Sequence, residues 1–315
     1  MKPKENILRA IQRNNPEWIP NGMEHVFRIY PPIQERPYNA CADAWGVQWG
    51  FHPEAEGGTY PLDGQFQIKD ISSWMDDIQV PDVHSYDWSK VTEQVQTIDR
   101  EDYLVEGFVE MGVFERSYLL FGMENALVNY MIDTDAMAEV ASRIADYKIE
   151  FIRKFHEAAQ LDIVWYGDDW GTQTNLFMPP EIWRETIKPH TQRIYDAMKE
   201  LGIIINQHSC GKIDSIFEDI CDMGADMWNS CQPCNDLKGL KERFGDRICF
   251  FGGIDSQHVL NRAGVTAEEV RQEVRLRIDE MSENGGYIAG PSHSIPYDPE
   301  LIDAMNNEIQ TYGRY

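Results

Sequence analysis

The sequence predicts an α/β fold, a (β/α)8 TIM barrel that forms one domain over residues 1–315 with an irregular N-terminal excursion. Three observations carry this. From residue 100 onward, short apolar segments alternate with amphipathic stretches of helical period, the signature of parallel βα units. The apolar segments lack the period-two polarity of half-exposed strands, as expected when both faces are buried. At least six such units follow residue 100, and there is room for two more before it. A doubly wound open sheet is the alternative, weakened because no Gly-rich phosphate fingerprint follows any strand.

Taken in order, "MKPKENILRAIQRNNPEWIP" reads as a short amphipathic helix and lacks the apolar core of an export signal. "YNACADAWGVQWGFHPEAEGGTYPL" reads as an irregular or hairpin-forming excursion. "DISSWMDDIQVPDVHSYDWSKV" gives a short helix, a Pro-bounded loop and another helix start. Residues 103–110 read as a strand and 114–130 as helical. "TDAMAEVASRIADYKIEFIRKFHEAAQ" is a long helix with Asp133 or Thr134 at its N-cap and Met137, Val140 and Ile144 on its apolar face. Strands follow at 162–170, 202–210, 225–232, 248–255 and 286–293. Helices are expected at 180–200, opened by Pro179 and Pro180, then at 213–223, 236–244 and 266–284, and from Asp298 to the end. No linker or short repeat divides the chain.

The bulk chemistry narrows the function. A formal charge of −25, from 53 acidic against 28 basic residues, repels phosphate backbones and anionic lipid, so neither nucleic acid nor membrane is an expected partner. No stretch approaches the roughly 18 apolar residues of a membrane span. The six cysteines (41, 210, 221, 231, 234 and 249) are too sparse for a disulfide scaffold and read as reduced thiols in a cytoplasmic protein. Cys221 and Cys249 fall inside apolar runs and read as small core residues.

Polar and metal-capable groups gather at the C-terminal end of the expected strands: Glu106 and Glu110, Asp168 and Asp169, His208 and Cys210, Cys231 and Cys234, Asp255, and His293. In a parallel barrel these ends face one mouth, where active sites are built. His208, Cys210 and His293 could give zinc three N/S ligands and leave one position open, the mark of a catalytic site. The alternative for His208 and Cys210 is a buried, hydrogen-bonded imidazole beside an inert thiol. Cys231 and Cys234 form a C-x-x-C pair that could be redox-active, lend one donor to the metal, or sit idle in a loop. Adjacent Asp168 and Asp169 would point to opposite sides of a strand; one could orient a ligand or act as a base, while helix capping is the plain alternative. Of Trp45, Trp49, Trp165, Tyr166, Trp170 and Phe177, most should pack the core, and some could line a pocket for a flat organic ligand.

"GDDWGTQTNLFMPPEIWRETIKPHTQRIYDAMKELGI", "QHSCGKI", "DMGADMWNSCQP", "LKERFGDRICFFGGID" and "GGYIAGPSHSIPYDP" together resemble the uroporphyrinogen decarboxylase superfamily, and the opening "PKENILRAIQRNNPEWIP" is similar to that superfamily's start. The resemblance implies a (β/α)8 barrel. True decarboxylases of the superfamily carry an Arg-rich N-terminal signature for porphyrinogen carboxylates. Here "WIPNGMEHVFRIY" does not match it, and only Arg28 and Arg36 are near. The corrinoid-linked branch, similar to methylcobamide:coenzyme M methyltransferase, holds zinc with His-x-Cys and a later Cys. His208 and Cys210 match the first two; where the later Cys would fall the chain reads Pro291-Ser292-His293-Ser294-Ile295. The resemblance therefore implies His293, or instead Cys231 or Cys234, as the third ligand.

The resulting expectation is a zinc-dependent methyltransferase. It would move a methyl group between a small donor or acceptor (a methoxylated aromatic, as in O-demethylation, another methylated compound, or a thiol) and the corrinoid, a cobalamin, of a partner protein. Zn2+ would sit on His208, Cys210 and His293. Asp168, Asp169 and Glu110 would serve catalysis, and Tyr166 and Asp255 would contact the cofactor. A metal-independent decarboxylase, or a non-catalytic barrel that binds a corrinoid protein, is the alternative. A helix-clad barrel can also form a homodimer.

Overall fold

A computed structural model describes residues 1–54, 58–293 and 295–315. Its centre is a curled sheet of seven parallel strands in the order β1 (Val26–Ile29), β4 (Leu104–Val109), β5 (Ile163–Gly167), β6 (Ile204–His208), β7 (Met227–Ser230), β8 (Cys249–Ile254) and β9 (Tyr287–Pro291). Strands β2 (Trp49–Phe51) and β3 (Thr59–Pro61) form a separate antiparallel hairpin, within the stretch whose sequence reads as irregular or hairpin-forming. Residues 55–57, which fall between these two strands in sequence, lie outside the described residues, as does Ser294. The sheet curls until the free edge of β9 meets the chain just ahead of β1: Gly22 N–H donates to the Ala289 carbonyl at 2.7 Å, and Ala289 N–H donates to the Pro20 carbonyl at 2.9 Å.

That closure corrects the expected eight-stranded barrel. Of the two strands expected before residue 100, one forms as β1, and a single bridge, Asn21 to Ala289, stands where the other would run. Pro20 and the left-handed Gly22 flank this bridge, and neither favours continuing a strand.

The helices follow the apolar spacing closely. Thr134–Ala159 is one long helix with Asp133 as its cap, and its Met137, Val140, Ile144 and Phe151 are buried against the sheet. The helix expected over 180–200 is broken at Ile187 into Pro180–Thr186 and Lys188–Glu200, because Pro189 cannot donate into a continuous ladder. At the opposite end of the sheet, the helix Pro3–Gln12 lays Ile7, Ala10 and Ile11 against Leu104, Ile163, Met227 and Cys249, the first residues of four strands. Burying Ile7 and Ile11 there contributes about 1.5–3 kcal/mol each. This apolar floor leaves the strands' C-terminal ends as the open mouth. No helix among the described residues is long and apolar enough to cross a membrane.

Candidate active site

Parallel register decides which side chains meet. Phe108, Trp165 and Asn206 lie in one cross-strand row, and Gly167, His208, Asn229 and Phe251 form the row above it. Residues two apart on a strand share a face, so Trp165 and His208 project to the same side. The Phe108 and Trp165 rings stack with centroids 4.3 Å apart, and the His208 ring lies 4.5 Å from Trp165. These residues line a cavity of about 770 Å³ together with Arg28, Arg36, Glu110, Glu115, Asp169, Cys210 and His293.

Within this cavity Asp169, His208 and Cys210 bring one ligand atom each to within 4.8 Å of one another, and they are the one such group among the described residues. His208 Nε2 is 3.3 Å from Cys210 Sγ and 3.6 Å from Asp169 Oδ1. The loops that carry them are pinned together. Cys210 N–H donates to Asp169 Oδ1 at 2.7 Å, and Lys212 N–H donates to the Thr172 carbonyl at 2.7 Å. Gly211, at φ +79°, allows this approach: a Cβ there would lie 2.2 Å from the Gly171 backbone.

The donor set passes a test for zinc. Imidazole nitrogen, thiol sulfur and carboxylate oxygen are the atoms zinc takes. Asn229 Oδ1 accepts from Trp165 Nε1–H at 3.2 Å and lies 2.6 Å from His208 Nδ1. The indole can only donate, so the facing amide atom is the oxygen, and His208 must carry its proton on Nδ1. Nε2 is then bare and turned to Cys210 and Asp169, the arrangement of a metal-binding imidazole whose tautomer a neighbour fixes. Burial, followed by the Asp169 carboxylate, drives the Cys210 thiol well above its ordinary range, and burial lowers His208. A bound cation would reverse the thiol's preference.

The other expected residues fall in several places. Glu110 lines the cavity, and burial pushes its carboxyl up to about 7. His293 lines the cavity too, but the converging ligand atoms belong to Asp169 and not to it. Asp168 is fully buried and accepts from the backbone N–H groups of Phe114 and Glu115 at 3.1 and 2.9 Å; it is a structural cap with no face on the cavity. Tyr166 is likewise turned away, buried edge-on against Tyr195, because it alternates with Trp165 along β5. Asp255 accepts from Gln257 and His258 N–H and borders a neighbouring cavity of about 320 Å³ together with Cys234. Cys231 is buried in the core.

Sequence reading did not single out Asn229, Phe108, Glu115 or Phe251. Asn229 carried a signal, since a polar residue ends the apolar strand β7 one position before a serine. Glu115 lies one turn into a helix, and burial, followed by Asp169, Asp168 and Glu110, raises its carboxyl well above the usual range.

The fold has a counterpart among solved structures. A methyltransferase from Methanosarcina mazei shares the fold over 99% of both chains, with a TM-score of 0.74 at 16% identity. A GH113 beta-1,4-mannanase aligns over 98% of this chain and 93% of its own with a TM-score of 0.41 and 9% identity, too distant to bear on the site. No curated protein sequence matches the chain. Residues 55–312 match the Uroporphyrinogen decarboxylase (URO-D) family, and a match over that much of the sequence makes the chain a member of it.

Proposed function

We propose that the protein is a zinc-dependent methyltransferase that moves a methyl group between a small donor or acceptor and the corrinoid of a partner protein. The observation that carries this reading is the convergence of Asp169, His208 and Cys210 in the strand-end cavity, with Asn229 fixing the imidazole tautomer. Three protein donors and one open position make a catalytic zinc site. Bound there, zinc lowers the pKa of a thiol acceptor or polarises the ether or amine leaving atom of a donor. The chain's own residues do the rest. Asp169, His208 and Cys210 would hold the ion, Phe108, Trp165 and Phe251 give the substrate an apolar wall, and Glu110 can hold or release a proton near neutrality. The fold shared with the M. mazei methyltransferase agrees with this reading. So does the H-x-C spacing, and the corrinoid is assigned to a partner because the chain has no evident cobalamin motif.

A metal-independent decarboxylase is the second reading, favoured by the family's own activity and by Arg28 and Arg36 in the cavity wall. Elemental analysis of the purified protein separates the two. The methyltransferase should carry close to one zinc per chain. Cys210→Ser should lose both that zinc and the methylation of an added corrinoid protein, followed by its absorbance. Full zinc and full activity in Cys210→Ser would refute the proposed mechanism.

A further inference from the structure

One buried oxygen in the cavity wall has nothing to bond to. Ser230 closes β7 opposite Gly252 of β8 and is 3% exposed. Strand alternation would set Asn229 and Ser230 on opposite faces. Here β7 ends, Cys231 turns the chain with φ +52°, and both residues line the cavity. Ser230 Oγ is buried and has no hydrogen-bond partner among the described residues. A hydroxyl shut away from water without a partner is costly and calls for an acceptor that the working site supplies.

Register says what lies beside it. His208 pairs with Asn229, and Ser209 N–H donates to the Asn229 carbonyl at 2.9 Å, so the next residues along, Cys210 and Ser230, stand side by side. Burial and then the Asp169 carboxylate push the Cys210 thiol up, and the Ser230 hydroxyl pulls it back down, which places that hydroxyl within reach of the sulfur. The bond is not complete there, since a thiol sulfur is a weak acceptor. A thiolate is a strong one, and coordination to zinc deprotonates a thiol outright.

The contact has a chemical use. Among Asp169, His208 and Cys210, only Cys210 offers a thiolate, the soft nucleophile that a methyl donor attacks most readily. Any donor that serves this site also comes within reach of that sulfur. Were the sulfur to take the methyl, a carbon–sulfur bond would form as the donor's own bond broke, and the anionic ligand would become a neutral thioether. A hydrogen bond to the thiolate draws charge from the sulfur and lowers its reactivity while leaving it a ligand.

We propose that Ser230 is a positioning residue of this centre: its hydroxyl donates to the metal-bound Cys210 thiolate and keeps that sulfur from taking the methyl group itself. This rests on the zinc-dependent reading of the site and requires no particular methyl donor.

The test uses purified full-length protein as wild type, Ser230→Ala and Ser230→Thr, each loaded with zinc and checked by elemental analysis. Methyl iodide is the probe: its carbon–iodine bond breaks, iodide leaves, and a carbon–sulfur bond forms on the thiolate. Peptide mass spectrometry follows methylation of Cys210, with the exposed Cys41 as internal standard. Cys210 should react about tenfold faster in Ser230→Ala, as expected for the loss of one charge-assisted hydrogen bond, and near the wild-type rate in Ser230→Thr. Cys41 should react equally in all three. Cobalt(II) in place of zinc reports on the sulfur alone: the thiolate-to-cobalt charge-transfer band should move to longer wavelength in Ser230→Ala and return in Ser230→Thr. The alanine removes an unpaired buried group, so the variant should fold as the wild type does; if its zinc affinity falls, the cobalt spectrum at saturating metal gives the same comparison. Equal Cys210 rates and an unmoved band in metal-loaded Ser230→Ala overturn the proposal and leave the zinc site standing. A wild-type protein that takes up no zinc overturns both.

Discussion

Asn229 sets the state of His208 through a single oxygen. The Trp165 indole fixes which end of the amide faces the ring, and the amide in turn fixes which imidazole nitrogen is bare. Asn229→Leu, similar in size but with nothing to accept, frees both the tautomer and the ring's orientation. Zinc affinity, measured by competition with a chromophoric chelator, should fall about tenfold to hundredfold with the fold intact. An unchanged affinity would mean that His208 is not held by this contact, or is not a ligand. Asn229 was hard to find in the sequence because its role depends on register: it matters through being opposite His208, and 21 residues separate the two. His208 and Cys210 were legible because two metal-capable types close one strand. Asp169 was half legible, since a pair of adjacent aspartates does not say which of them faces the mouth.

That pair is resolved at the level of the element. The helix Val113–Phe121 starts after Gly112, which has no side chain to cap it, and Asp168 from the end of β5 supplies the missing acceptor to Phe114 and Glu115. Gly112 is required for this, since a Cβ there would lie 2.4 Å from the Asp168 side chain. Asp168→Ala leaves two buried N–H groups without an acceptor and should cost about 2–4 kcal/mol in urea unfolding, with zinc binding by the folded protein retained. Asp169→Ala should do the opposite, losing zinc with little change in stability. If the two variants behaved alike, the division of labour between neighbouring carboxylates would be wrong. The elements themselves were legible from residue 100 onward, where burial of one face imposes the helical period and burial of two makes continuous apolar runs. The expected strand 162–170 overruns the observed one by three residues at its C-terminal end because residues 168–170 serve the loop: Trp170 N–H already donates to Ser209 Oγ.

The first hundred residues gave little to read, and the whole molecule shows why. Their order comes from contacts across long sequence separations, which leave no periodic trace. Arg116, fully buried, donates to Asp43 Oδ2 at 2.7 Å and to the Glu35 carbonyl at 3.0 Å, and its guanidinium covers the Trp45 ring at 5.2 Å. Lys148, on the long helix, reaches Glu35 Oε2 and the Glu110 carbonyl, both at 2.5 Å. Trp45 and Trp49 donate their indole N–H groups to the same two carboxylates. This buried cluster fastens residues 35–49 to two helices and to the end of β4, beside the cavity mouth. Breaking such a cluster costs more than its net contribution, because the partner left behind stays buried and charged. Arg116→Met should therefore destabilise the protein by about 3–5 kcal/mol in denaturant titration. The loss should be local first: limited proteolysis of the variant should cut between residues 30 and 60 before the sheet is attacked, since the strands and their apolar floor do not involve Arg116. Asp43→Asn in the same chain removes one stranded charge and should restore part of the loss. Cleavage spread evenly along the chain, or a loss below about 1 kcal/mol, would show that apolar packing alone holds the N-terminal excursion and that the ion cluster only fills space beneath it.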